Sequence, residues 1–223
     1  MYSWQILGFS QLLAIPLAAV LLAALGACRT AGVQRGPQLI QPGAPGEPSR
    51  VITADQAADL SQVRHTPGDV AFMQGMIGHH AQALEMTALL ATRSTSDDMR
   101  KLGLRIEVSQ ADEIRMMQEW LRRRGQEVPG EHAHHAHGAK LMPGMLTAEE
   151  MARLAAGKGV EFDRLFLEFM IRHHAGALVM VEELFKTPGA GQEGEMFAFA
   201  SDVDADQRME IARMTAMLKE LQK

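Results

Sequence analysis

Residues 69–86 read DVAFMQGMIGHHAQALEM and residues 163–180 read DRLFLEFMIRHHAGALVM, one pattern displaced by 94 positions. Asp69 falls on Asp163, Phe72 on Phe166, Met76-Ile77 on Met170-Ile171, and Met86 on Met180. The pair His79-His80 falls on His173-His174. At the same offset Ile52-Thr53-Ala54-Asp55-Gln56 meets Leu146-Thr147-Ala148-Glu149-Glu150. Further on the offset becomes 97, and Gln110, Glu113, Met117 and Leu121 meet Gln207, Glu210, Met214 and Leu218. Self-similarity of this length marks an internal repeat, and a three-residue loop insertion accounts for the step.

Each half reads as helical. Thr53 with Gln56, and Thr147 with Glu150, are capping-box pairs that open short helices. Longer helices are predicted over 67–92 and 160–186, with Pro67 near the start of one and Pro188 just past the other. Two more are predicted over 97–124, with Ser96 as N-cap and Asp97 and Asp98 in the first turn, and over 192–221. No stretch of any length alternates with period two, so a sheet is not expected. Two helical hairpins with one-sided apolar stripes bury them best by pairing, which predicts an all-α four-helix bundle with a short helix ahead of each hairpin. A homodimer is compatible with that arrangement.

The domain limits follow. Residues 6–27 are almost uncharged and apolar and close on Leu25-Gly26-Ala27-Cys28. That ending reads as a secretory signal over residues 1–27, with Cys28 placed for lipidation as in a bacterial lipobox. The departure is that Met1–Leu13 has no Lys or Arg. Left uncleaved, the same run is just long enough to span a membrane. Either way the rest of the chain is expected outside the cytoplasm, on the periplasmic or cell-surface side, membrane-anchored. Residues 28–51, with Pro37, Pro42, Pro45 and Pro48, read as a disordered tether. The helical domain is expected over 52–222: a first repeat over 52–124, a His-rich connection over 125–145, and a second repeat over 146–222.

Composition narrows the function. The 223 residues are 47% hydrophobic and 22% charged, with net charge −5 and a pI near 6.0, so no basic field exists to recruit nucleic acid. A single Cys can form neither an internal disulfide nor a zinc knuckle. Nothing matches a nucleophile triad, a phosphate loop or a dinucleotide fingerprint, which favours a binding protein over an enzyme. What stands out is 16 Met and 9 His against 1 Tyr and 2 Trp.

Wound on a helix at 100° per residue, Asp69, Met73, Met76, His79, His80 and Met86 fall within an arc of roughly 140°, the width of a core-facing stripe. The second half repeats this with Asp163, Met170, His173, His174 and Met180, Leu167 replacing Met73. Methionines at such spacing are ordinary core filler taken singly. Two consecutive histidines, twice, on a buried face point instead to a metal site. Thioether and imidazole donors suit copper, as Cu(I) or Cu(II), whereas carboxylates suit iron or manganese. Di-iron bundles carry Glu three residues before His. Here Met76 and Met170 hold that place, and the one Glu-x-x-His runs from Glu131 to His134, in a loop. Asp69, Asp163, Glu113 and Glu210 keep open the alternative of a ferritin-like iron or manganese redox enzyme, and a metal-free structural bundle is the other. Between the halves, His132, His134, His135 and His137 precede Met142-Pro143-Gly144-Met145. This is a compositional signal for a secondary metal-binding loop.

The motif Asp-x-x-Phe-x-x-x-Met-Ile-x-His-His-x-x-Ala-Leu-x-Met, followed by Gln-x-x-Glu-Ile-x-x-Met-x-x-Trp-Leu, resembles the domain-of-unknown-function 305 family in two tandem copies. The second copy departs from it with Met217 where the first has Trp120. The resemblance covers about residues 52–221. It implies a ferritin-like helical bundle in exported bacterial proteins, with copper-binding relatives.

Overall fold

The computed structural model describes residues 38–41, 48–59, 63–130 and 141–222, and the chain divides into two units, residues 1–57 and 58–223. In the first unit, strands β1 (Leu39–Gln41) and β2 (Arg50–Ile52) form an antiparallel ribbon with Ile40 opposite Val51. This corrects the expectation of no sheet within the stretch read as a tether. Three residues are too few for a period of two to register in sequence. Helix α1 (Ala54–Ala58) follows, opened by the Thr53–Gln56 capping box: Thr53 N–H donates to Gln56 Oε1 at 2.9 Å and Gln56 N–H to Thr53 Oγ1 at 3.1 Å.

The second unit is mostly helical. Helices α2 (Pro67–Ala88), α3 (Leu90–Arg93), α4 (Asp97–Arg123), α5 (Ala148–Ala156), α6 (Gly159–Lys186) and α7 (Gly194–Leu221) lie close to the predicted spans. The break between α2 and α3 at Leu89 was not visible in the pattern, because Leu89 keeps helical dihedrals and only the hydrogen-bond ladder lapses. Ser96 caps α4, its hydroxyl accepting from Met99 N–H at 3.3 Å. Thr147 and Glu150 form the expected capping box on α5.

Helix α2 packs on α4 and on α6, and α6 packs on α7. Two apolar clusters result. One gathers Met76, Met117 and Met180 with Trp120, Phe72 and Phe199; the other gathers Met86, Met170 and Met214 with Phe162, Phe166 and Leu102. Each therefore mixes methionines of both halves, because α2 and α6 run antiparallel. At the end of α4, Arg123 hydrogen-bonds Glu195 and Arg124 reaches Glu193 at 2.7 Å. Arg124 also lies 4.2 Å over the Trp120 ring. A helix end adjoining the N-terminus of α7 has acidic partners that spacing alone does not reveal.

Among the described residues no helix is long and apolar enough to cross a membrane; residues 6–27 and Cys28 lie outside them.

Candidate metal centre

His79, His80, His173 and His174 are fully buried at 0% exposure. The α2–α6 packing brings the two pairs together: the rings of His79 and His173 stack with centroids 3.9 Å apart and planes at 37°. His80 and His174 turn outward to the flanking helices. His80 Nε2–H donates to Glu113 Oε2 on α4 at 2.5 Å, and His174 Nε2–H donates to Glu210 Oε2 on α7 at 2.6 Å. His79 Nε2–H donates to the Pro143 carbonyl at 3.0 Å.

These bonds fix the chemistry of the remaining nitrogens. A carbonyl or an ionised carboxylate only accepts, so each of these Nε2 atoms carries the proton and, in the neutral imidazole, Nδ1 carries a lone pair. The Nδ1 atoms of His79, His80 and His174 have no partner, nor has either ring nitrogen of His173 a hydrogen bond of good geometry. Unpaired buried polar atoms are rare and call for an explanation. Burial, reinforced by His80, lowers the His79 pKa to about 3. His173 is held well below its ordinary value by burial and by the other three histidines, a contact to the His79 backbone offsetting a part. Both rings are thus neutral at pH 7, with no proton competing for a metal.

The donor set fits a borderline-to-soft metal, since a His that gives its other N–H to a carboxylate or a carbonyl is the usual form of a ligating imidazole. Among the described residues, no group of three or more His, Cys, Asp or Glu is spaced to hold an ion as it stands. Stacked rings at 3.9 Å leave no room between them. Donors are present; binding requires the rings to part.

The other expected site residues are distributed unevenly. Met76 and Met170 lie one turn before the His pairs and are fully buried. Met180 joins the cluster of Met76, and Met86 that of Met170. Met142 and Met145 fall in a described turn: Met142 Sδ would lie 3.3 Å from a Cβ placed on Gly75, with Met180 Cε at 3.5 Å. His132, His134, His135 and His137 lie outside the described residues.

Asp69 and Asp163 sit elsewhere and are corrected. Ten residues before its His pair, each is about 15 Å away along the helix. Asp69 completes a capping box with Thr66 and accepts from Gly191 N–H at 2.6 Å in the α6–α7 connection. Asp163 lies beside Ser94 and Arg100 at the connection into α4, and burial, partly offset by those two residues, raises its pKa. Asp69→Ala would strand the Thr66 and Gly191 donors. It is expected to destabilise the fold by about 2–4 kcal/mol while leaving metal affinity unchanged, read by urea unfolding and metal titration.

Glu113 and Glu210 are the partners that sequence left as a bare alternative, and their signal was the buried Gln-x-x-Glu recurring in both halves. Gln110 and Gln207 are buried alongside, Gln110 with neither side-chain atom partnered. Asp206 nearby has its pKa raised by burial and then by Glu113 and Glu210, with Arg105 opposing.

A family model described as a domain of unknown function, DUF305, matches residues 69–218, which is most of the second unit. The chain belongs to the DUF305 family. Its fold resembles a DUF305 fragment from Deinococcus radiodurans at 35% identity and a TM-score of 0.60, covering 70% of this chain and 98% of that one. A DUF305 protein from Streptomyces coelicolor, described as secreted, matches at 28% identity and 0.60, covering 69% and 93%. CopM in its Cu(II)-bound form matches at 26% identity and 0.56, covering 68% and 96%; its Cu(I)-bound form has a TM-score of 0.54. No curated protein matches this DUF305 chain.

Proposed function

We propose that this DUF305 chain binds copper outside the cytoplasm and sequesters it or passes it on. One observation carries the reading: four buried imidazoles with Nε2–H committed to Glu113, Glu210 and Pro143 in three of them, and with five buried ring nitrogens among the four that have no hydrogen-bond partner. His79, His80, His173 and His174 would supply the nitrogens, and Met76, Met86, Met170 and Met180 the thioethers that favour Cu(I). Glu113 and Glu210 orient the His80 and His174 imidazoles and fix which ring nitrogen is free for a metal. The copper-bound states of CopM support the metal, and the relative described as secreted supports export. In this reading the four long helices form a bundle of two duplicated hairpins, Cys28 carries the lipid anchor, and His132, His134, His135 and His137 capture metal ahead of the core.

A second reading, a ferritin-like iron or manganese redox enzyme, draws on the same Glu113 and Glu210. Against it, each carboxylate is engaged with an imidazole N–H, and the turn before each His pair holds Met rather than Glu.

The test is to produce residues 29–223 in a bacterial periplasm, purify without chelator, and measure bound metals, repeating with residues 131–140 deleted. Copper retained after the deletion is expected. Iron or manganese in near-stoichiometric pairs would favour the enzyme, and no metal after copper loading would overturn both.

A further inference from the structure

The matching positions of the two halves diverge where one segment crosses the histidines. Residues Met142–Leu146 run over the His79–His173 pair, and Pro143 is the one described residue outside the helices that hydrogen-bonds any of the four rings. This strap is seated from both helices. On α2, the buried Gln82 clasps Leu146 twice: its Nε2–H donates to Leu146 O at 2.9 Å, and Leu146 N–H donates to its Oε1 at 2.7 Å. On α6, Gly176 makes the room, because a Cβ there would stand 1.9 Å from Pro143 O and 2.7 Å from Gly144 Cα. Gly144 in turn adopts φ +76°, and a Cβ on it would meet Arg172 O at 2.5 Å. Gln82 and Gly176 are 94 positions apart, so they are the same position of the repeat. One copy supplies the amide that grips the strap and the other supplies the gap that receives it.

Resting on the copper reading, we propose that Met142–Leu146 is a clasp whose release sets the rate at which copper reaches and leaves the four histidines. All four rings are fully buried, so an ion reaches them only when something moves. Displacing a helix disrupts a long hydrogen-bond ladder, whereas freeing the strap breaks the Gln82 pair and the Pro143 bond and withdraws Leu146 from its apolar cluster, leaving every helical ladder intact. The same release frees His79 Nε2 and lets its ring turn away from His173. Met142, seated against Gly75 on the outer part of the strap, moves with it.

Gln82→Leu removes the clasp at similar volume and leaves both Leu146 backbone groups unpaired, which raises the open population about tenfold or more. Gly176→Ala prevents seating without touching Gln82. Gln74→Leu is the control for removing a glutamine of α2: it breaks one exposed bond, Gln74 Nε2–H to Glu127 O at 2.9 Å, outside the strap. Release of Ag(I), a redox-inert stand-in for Cu(I), into excess chelator is followed beside hydrogen exchange at the Leu146 N–H. Expected is a rise of about tenfold or more in both for the two strap variants, and in neither for the control. Faster Leu146 exchange with unchanged Ag(I) release would overturn the clasp and leave the copper site standing. Wild-type protein that binds neither Ag(I) nor Cu(I) would overturn the site and the clasp with it. Should neither strap variant fold, opening at Leu146 and Ag(I) release in the wild type are expected to share one temperature dependence, and divergent slopes would overturn the proposal.

Discussion

The double variant His79→Ala/His173→Ala is expected to weaken Cu(I) binding at least about 100-fold, or roughly 3 kcal/mol, while the helical circular-dichroism signal is retained. The two rings meet at the centre of the buried cluster, and together they hold three of the five unpartnered imidazole nitrogens. Their removal takes away donors that make few compensating hydrogen bonds in the folded chain. The fold loses ring packing but also sheds buried polar atoms that lack partners, so the two effects oppose each other. Competition against a Cu(I) chelator of known affinity reads the result. Affinity within a factor of three of wild type would remove these residues from the site. Glu113→Gln/Glu210→Gln keeps all four rings and is expected to give a smaller loss, about 10–100-fold, because it weakens only the groups that orient them.

The metal-free protein is expected to lose about 3 kcal/mol of stability between pH 7.5 and pH 5.5. His79 and His173 have folded pKa values depressed below the ordinary 6.5. The unfolded chain therefore takes up protons below about pH 6.5 that the folded chain refuses, and stability falls as pH drops through that window. Each ring contributes roughly 1.4 kcal/mol per pH unit below its unfolded value. The slope continues for His79 until pH nears its folded value of about 3. Above pH 6.5 the contribution is flat. Urea unfolding at the two pH values measures it, with the double alanine variant as reference. An equal loss in that variant would assign the effect to other groups.

The helices were legible because their signals are local. Ser96 before Asp97-Asp98, Thr147 before Glu150, and Pro67 at the head of α2 each act within one turn, and the observed ends lie close to them. The Thr66–Asp69 capping box is equally local, but the place of Asp69 on the apolar stripe of α2 masks its capping role in the sequence. The His pairs were legible from repetition. Their bonding was not: His80 to Glu113 and His174 to Glu210 join residues 33 and 36 positions apart. Such pairings depend on the rotation of one helix against another, and a single sequence does not state it. The strap was still less visible. Gln82 and Gly176 look like an ordinary mismatch between the two halves until the strap is seen bonded to one at Leu146 and seated against the other at Pro143.

Asp69 bonds into the connection between α6 and α7, and Asp163 lies against the connection that leads into α4. Each helix pair thus holds, at its own start, the anchor for the other pair's turn. Separated, either pair would keep a carboxylate meant for donors on absent chain and a turn without its anchor. Melting of one pair strips support from the other, so the two behave as a single cooperative unit with no half-folded species of appreciable population. A protease that cut the long connection between them would nick the chain without parting the halves, and the product would stay assembled until both melted together.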